Sequence, residues 1–364
     1  MTAQTLGVEE EFHLVDPATG SLAASSTVAD AAVLGQPGPH VQPEISTTQL
    51  ETATGVCSTL GEVRAALRET RAEAVSAAQR DGLTVLAAST HPSSSVGDLV
   101  LTDAPRYRVM VQRWARLAQT QDICGTHVHV GVDDLDTAVH VMDRARPWLP
   151  LLLAMTGSSP FHEGADTGYE SWRTVWWSRW PVSGPPEALG DADGYRAVVA
   201  QLVASGMVPD GSQLYWDLRP STHVPTVEFR MGDVCTDLDD VVLHAALCRS
   251  LVAVLAADEG PAADVRPEVL RAARWKAARA GLTGDLVDPV TASLVPAETA
   301  VRSLVRFVSD DLAERGDLDE VTALAEQLLG RGTSAARQRR TMHRTGDAGA
   351  VVRDLLEVGG TLPA

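Results

Sequence analysis

The sequence predicts an α+β fold in which an antiparallel sheet carries its chemistry on one face and packs helices on the other. Two observations predict it. Strand-like and helix-like segments alternate irregularly, without the strict strand–helix repeat of a doubly wound sheet. In four strand-like segments, ionisable residues recur two apart opposite a strongly apolar face, the pattern of an antiparallel sheet with one solvated side. At 364 residues two domains are possible by size, but no repeat, low-complexity linker or clean composition boundary divides the chain, so one domain over 1–364 is expected.

Leu6 to Val15 reads as a strand ended by the turn residues Asp16-Pro-Ala-Thr-Gly20. Thr59 with Glu62 resembles a capping box, and Leu60, Val63, Leu67, Ala74 and Val75 recur at helical spacing, so a helix runs to about Asp81. Gly82 stops it, and Leu83 to Ala88 follows as a buried strand. Tyr107, Met110, Val111, Trp114, Leu117 and Ala118 mark one amphipathic helix, and Ile123 to Val132 a strand. Asp136 to about Met155 is a long helix with kinks expected at Pro147 and Pro150. Between Gly157 and Pro186, Gly, Ser, Pro, Trp and Arg crowd together with neither period, as in a long binding loop or lid. Strands are expected at about Gln213 to Arg219 and Pro225 to Asp233. Helices dominate from Leu238 onward, with Gly281 to Pro296 the least regular part.

Composition removes several classes of function. A net charge of -18 and a pI near 4.9 oppose nucleic acid and anionic membrane surfaces, which need a Lys/Arg field. Lys276 is the only lysine, so a basic group in a site must be Arg, or a metal must serve. Cys57, Cys124, Cys235 and Cys248 show no CxxC spacing and read as buried thiols in a reducing cytoplasm. Acidic Glu9-Glu10-Glu11 precedes any apolar stretch, which opposes a secretory signal, and the longest apolar run, near Leu149 to Met155, is far short of the roughly 20 residues of a membrane span. A cytoplasmic protein without a membrane partner is expected. Oligomeric state is open, a homodimer included.

The four pairs are Glu9 with Glu11, His127 with His129, Asp217 with Arg219, and Glu228 with Arg230. Glu10 falls on the apolar side with no explanation from the pattern. If the strands share one sheet the charges converge, and the carboxylates repel unless a divalent cation neutralises them. Oxygen-rich ligation with some imidazole suits Mg²⁺ or Mn²⁺ better than Zn²⁺ and points to phosphoryl chemistry. Taken singly, each pair is most often a solvated face, a structural His-x-His or a surface ion pair of little worth. A zinc-dependent hydrolase using His-x-His with the acids, and a non-catalytic binding or regulatory protein, are the rival readings.

Seven motifs stand in a specific order: Gly7-Val-Glu-Glu-Glu-Phe12, Pro43-Glu-Ile-Ser-Thr-Thr-Gln-Leu-Glu51, Gly125-Thr-His-Val-His129, Ser159-Pro-Phe161, Asp166-Thr-Gly-Tyr169, Trp216-Asp-Leu-Arg-Pro220 and Thr226-Val-Glu-Phe-Arg230. With them most of the chain resembles the carboxylate–amine ligase branch of the glutamate–cysteine ligase family (type 2), related in fold to the glutamine synthetase catalytic domain. The resemblance implies a funnel-like antiparallel sheet with helices packed on its outer face, holding ATP and two or three Mg²⁺ or Mn²⁺ ions. Glu9, Glu11, Glu51, His127 and Glu228 match the family's metal ligands, and Glu44 matches a further acidic site. The odd separation of Glu44 and Glu51 calls for a bend or bulge near Glu44. Arg219 and Arg230 match positions that contact phosphate or substrate carboxylate, and Arg173 is a weaker nucleotide or substrate candidate. The implied reaction joins glutamate to cysteine or another amine as a γ-glutamyl amide, through an acyl phosphate, with release of ADP and phosphate.

That chemistry agrees with the residues. A carboxylate meets an amine without a leaving group until ATP phosphorylates it, and metals and guanidinium groups stabilise the transferring phosphoryl charge. No Gly-x4-Gly-Lys-Ser/Thr or Gly-x-Gly-x-x-Gly loop is present, so metal and Arg must hold most of the nucleotide. Around this set, His129 is read as an outer or substrate contact, and His13 as a residue at the rim. Trp172, Trp176, Trp177 and Trp180 are read as packing for the loop ahead of an adenine clamp, and the Arg337 to Arg344 run as a solvated helix face.

Overall fold

Five strands assemble first along the chain: β1 (Leu6–Val15), β2 (Val41–Pro43), β3 (Gln49–Ala53), β4 (Thr84–Leu86) and β5 (Gly125–Gly131). A short hairpin, β6 (Phe161–His162) with β7 (Ala165–Asp166), follows, then β8 (Leu218–Pro220) and β9 (Thr226–Asp233). These come from a computed structural model that describes residues 4–25, 41–94 and 99–361. The main sheet runs β2-β3-β1-β5-β9-β8, with β4 also paired to β1, and every pairing is antiparallel. It is open, with β2 and β8 at its edges.

The apolar face is built as the period of two requires. Leu6, Val8, Phe12 and Leu14 of β1, Val128 and Val130 of β5, and Val227, Phe229 and Met231 of β9 are all buried. The helices Leu60–Gln79, Leu149–Thr156 and Leu238–Ala257 lie against this sheet. Leu60–Gln79 opens with the capping box of Thr59 and Glu62. Leu238–Ala257 is long and apolar enough to cross a membrane, yet most of it is buried in the core. All four cysteines are free and buried.

Glu10 now has its explanation. It is buried on the apolar face, and Arg71 of the Leu60–Gln79 helix reaches it with Nε to Oε2 at 3.0 Å and Nη2 to Oε1 at 2.6 Å. The guanidinium also donates to the carbonyls of Cys235 and Thr236, so this ion pair staples β1, the helix and the end of β9 together.

Several expected boundaries move. The helix expected across Tyr107 to Ala118 breaks at Ala115, whose φ of 47° no helix accommodates, giving Pro105–Trp114 and Arg116–Gln119. The kink at Pro147 and Pro150 is a turn of 3₁₀ helix, Arg146–Trp148, between Leu135–Ala145 and Leu149–Thr156. The strand expected from Gln213 shrinks to β8, and the Asp217 side chain is taken by a buried pair with Arg274, Nε to Oδ2 at 2.6 Å, while its carbonyl still accepts from the Arg230 N–H. The 157–186 loop holds the β6–β7 hairpin and a short helix, Trp172–Trp177. Within the basic run, Arg339 is only partly exposed, and it grips Asp166 at 2.9 and 3.0 Å and also binds Glu170.

Candidate active site

Register places the ionisable face in one row. Glu11 stands opposite Glu51, Glu9 opposite His127, His129 opposite Glu228, and Glu228 opposite Arg219. Neighbouring side chains in such a ladder are within contact distance, so the row is a consequence of strand order and period alone. Both histidines approach Glu228, with His127 Nδ1 at 3.8 Å and His129 Nε2 at 4.0 Å from Oε1, and the β5–β9 register shifts just beyond, between Thr126 and Val128. Glu44 joins from the turn between β2 and β3. The bend expected near it is the reversal of a hairpin: β2 ends at Pro43, and Gln42, not Glu44, pairs with Glu51.

Three groups of potential ligand atoms result, each with its atoms within 4.8 Å of one another: Glu9, His129 and Glu228; Glu9, Glu51 and His127; Glu11, Glu44 and Glu51. His127 Nδ1 lies 3.1 Å from Glu9 Oε2. His129 Nδ1 is bonded to Thr226 Oγ1 at 2.9 Å, which leaves Nε2 buried, without a hydrogen-bond partner and 3.3 Å from Glu9 Oε1. A second-atom hydrogen bond of this kind orients an imidazole as a ligand. His129 therefore stands among the potential ligand atoms and not outside them.

The electrostatics are those of an acidic cluster in need of a cation. Burial, and then the charge of Glu44, push Glu11 up to about 8. Burial pushes Glu44 up, and burial with Glu9, Glu44 and Glu11 around it pushes Glu51 well above the carboxylate range. Burial acts against the charge on Glu9 too, but the His127 and His129 imidazoles beside it outweigh burial and hold Glu9 low. At Glu228 burial is likewise outweighed, by Arg230 and Arg219, which bring it down to about 2. Burial and the nearby Arg230 lower His127 to about 4, so its imidazole is neutral at pH 7 and able to ligate. Carboxylate-rich groups with one imidazole or none fit Mg²⁺ or Mn²⁺, and the two histidines fall in different groups, which does not suit a zinc centre built on His-x-His.

The arginines divide. Arg219 spends its donors inside the protein, on Glu228 at 2.7 and 3.4 Å and on the carbonyls of Ser212 and Leu214 at 2.6 and 3.0 Å. Arg230 binds Glu228 and keeps a buried Nε without a partner. Arg173 donates to the carbonyls of Arg230 and Met231 at 3.2 Å, and its Nε is also without a partner. Arg173 and Arg230 line a cavity of about 220 Å³ with Glu11, Glu44, Trp177, Trp180 and Tyr215. At the other end of the row, Glu9 and His129 border a cavity of about 300 Å³ walled by Gly7, Gly55, Val56, Pro225 and Thr226, with no Lys or Arg among its described lining residues. A larger one, about 450 Å³, lies against the Pro267–Ala280 helix and touches none of the residues singled out from the sequence.

Two further residues shape the site. The Gly125 N–H donates to Glu11 Oε2 at 2.6 Å, and a Cβ at Gly125 would stand 2.3 Å from Arg173 Nη2, so only glycine lets the guanidinium lie there. Its place at the head of Gly125-Thr-His-Val-His129 was the available signal. Thr226, which sets the imidazole of His129, likewise heads Thr226-Val-Glu-Phe-Arg230, and only its role was missed. His13 is not at a rim: β4 covers that end of β1, and His13 is fully buried, 3.4 Å from Asp122.

The sequence profile of glutamate–cysteine ligase family 2 matches residues 5–354. The chain belongs to this family. It is thus an enzyme of the carbon–nitrogen ligase class, a carboxylate–amine ligase. Among its relatives are proteins provisionally named glutamate–cysteine ligase 2-1, from Saccharopolyspora erythraea, 44% identical over 97% of this chain and 94% of that one, and from Nocardia farcinica, 42% identical over 98% and 93%. In fold the family member resembles glutamate–cysteine ligase from Francisella tularensis, crystallised in complex with AMP, at a TM-score of 0.72 and 15% identity, covering 98% of this chain and 88% of that one. A bifunctional glutathione synthetase from Pasteurella multocida gives 0.71 at 14% identity, over 98% of this chain and 52% of that one.

Proposed function

We propose that this ligase uses ATP to activate the γ-carboxylate of glutamate and passes the acyl group to cysteine or another amine, releasing ADP and phosphate. The observation that carries the reading is the single row of Glu11, Glu51, Glu9, His127, His129 and Glu228, with two incompletely bonded guanidinium groups facing the same cleft. Glu9, Glu11, Glu44, Glu51, His127, His129 and Glu228 are the residues that would hold Mg²⁺ or Mn²⁺, whose charge supports nucleotide phosphates and the phosphoryl group in transfer.

The protein's own groups do the rest. Arg230 and Arg173 bind the anions, carboxylate or phosphoryl, through the Nε–H groups that lack partners. Arg219 fixes Glu228 and leaves it ionised. Trp177, Trp180 and Tyr215 pack against one another beside the arginines, and their rings keep water from the activated carboxylate. The cavity beside Glu9, with no Lys or Arg among its described lining residues, suits the base and ribose of the nucleotide, and the arginine-lined cavity suits the amino acids.

In the chemical balance, a γ-carboxylate oxygen attacks the γ-phosphorus and ADP leaves. The amine nitrogen then attacks the acyl carbon and gives up a proton to solvent, the carbon–oxygen bond breaks, and phosphate departs with that oxygen. The test is ADP release with each amino acid alone and with paired amines, with Glu228→Gln as control. Stimulation by glutamate plus an amine, lost in the variant, is expected. Release that no donor and amine pair stimulates, or full activity in Glu228→Gln, overturns the reading.

A further inference from the structure

Arg173 is almost wholly enclosed, at 2% exposure, and sits second in a helix of only six residues, Trp172–Trp177. So short a helix cannot fix its own position. Its N-terminal end is instead held by Asp233, the last residue of β9 and itself fully buried. One carboxylate oxygen of Asp233 accepts from the Ser158 N–H at 2.9 Å and from Ser159 Oγ at 2.7 Å, and the other accepts from Ser171 Oγ at 2.7 Å. Ser171 caps the helix, accepting from the Thr174 N–H at 3.2 Å, and Ser159 Oγ accepts from the Arg173 N–H at 3.0 Å. The same strand takes the guanidinium through the carbonyls of Arg230 and Met231. Strand β9 thus holds Arg173 by its backbone and by its side-chain tip, with Asp233 organising the backbone end.

We propose that Asp233 is a positioning residue for Arg173, acting through Ser159 and Ser171 to set the short helix that delivers the guanidinium to the acidic cleft. This rests on Arg173 being an anion contact of the ligase. A buried carboxylate with three donors is also a plain stabiliser of a fold, so the test must separate the two roles. In Asp233→Asn the amide cannot accept on both sides, and a donor is left facing an NH₂ group. A displacement of the helix by about 1 Å lowers kcat/KM by about 100-fold.

The experiment compares Asp233→Asn, Ser171→Ala, Arg173→Ala and the double variant Asp233→Asn/Arg173→Ala in ADP release, and follows hydrogen exchange at the Arg173 and Thr174 amides in the full chain. Positioning predicts that Asp233→Asn adds nothing to the loss already caused by Arg173→Ala, and that the two amides exchange at least about 10-fold faster in Asp233→Asn. Ser171→Ala, a milder change, gives the same pattern at smaller size and serves if Asp233→Asn does not fold. Losses that multiply in the double variant, or unchanged exchange at Arg173 and Thr174, overturn the proposal. Wild-type kinetics in Arg173→Ala overturn it as well, by removing the role being positioned. Absence of any ADP release in the wild type sinks the ligase reading, and the exchange measurement alone then decides whether Asp233 holds the helix.

Discussion

Glu11→Gln should make the metal-free protein more stable and the enzyme inactive. In the fold, burial and Glu44 raise Glu11 from 4.5 to about 8, so between those values the folded state binds a proton that the unfolded chain does not. Stability from this group is therefore lost as pH rises through that window, and the full penalty is present above about pH 8. At ~1.4 kcal/mol for each tenfold change in proton affinity, the ceiling is ~5 kcal/mol. Glu44 and Glu51 crowd the same site and share in that proton binding, so neutralising one of the three gains less than the ceiling, on the order of 2 kcal/mol. Gln keeps the oxygen that accepts from Gly125 and removes the charge. The assay is urea unfolding in EDTA from pH 5 to 9, for wild type and variant. The difference should be near zero at pH 5 and reach about 2 kcal/mol in favour of the variant by pH 9. Saturating Mn²⁺ should reverse the order, because the ion binds the folded wild type more tightly. A variant less stable than wild type at pH 9 in EDTA would refute the idea that the acids repel one another in the site.

Arg71→Ala leaves Glu10 buried and unpaired and should lower unfolding free energy by about 3–5 kcal/mol, measured in urea, with Arg71→Met/Glu10→Gln recovering most of it. A loss below ~1 kcal/mol would show that the pair is not the staple between strand and helix. Gly125→Ala should reduce ADP release by about 100-fold and lower the unfolding midpoint, since the added methyl displaces a buried guanidinium from the Arg230 and Met231 carbonyls. Full activity in that variant would contradict the placement of Arg173 against β5. Thr226→Val removes the oxygen that orients His129 and should weaken Mn²⁺ binding, followed by calorimetry, by about 10-fold or more. Unaltered affinity would take His129 out of the ligand set.

The ionisable face was legible because it needs only the period of two. Once β1, β5 and β9 are strands, Glu9, Glu11, His127, His129, Glu228 and Arg230 must share a side, and antiparallel pairing brings them together. What depends on distant partners was not legible. Glu10 looked anomalous because its partner, Arg71, lies 61 residues away on a helix face that reads as ordinary amphipathic spacing. Glu44 looked out of phase because a tight reversal at 44–48 has no Gly or Asn-Gly to announce it. His129 passed for an outer contact because only its bond with Thr226 and its place opposite Glu228 reveal the unpartnered nitrogen. Arg219 passed for a substrate contact, but its donors are taken up by Glu228 and two carbonyls, a fact of local backbone geometry that no spacing encodes. The Asp217 and Arg219 pair misled for the same reason, since β8 is too short to impose a common face.

If a substrate carboxylate is activated by phosphorylation in the cleft between Glu228 and the two arginines, one of its oxygens must leave with the phosphate, and that transfer can be followed. Glutamate labelled with ¹⁸O in its γ-carboxylate would be turned over with ATP, Mg²⁺ and the amine that best stimulates ADP release, and the phosphate analysed by mass spectrometry. An acyl phosphate requires one labelled oxygen in each phosphate released with amide product. Phosphate that carries no label from the carboxylate would contradict the account.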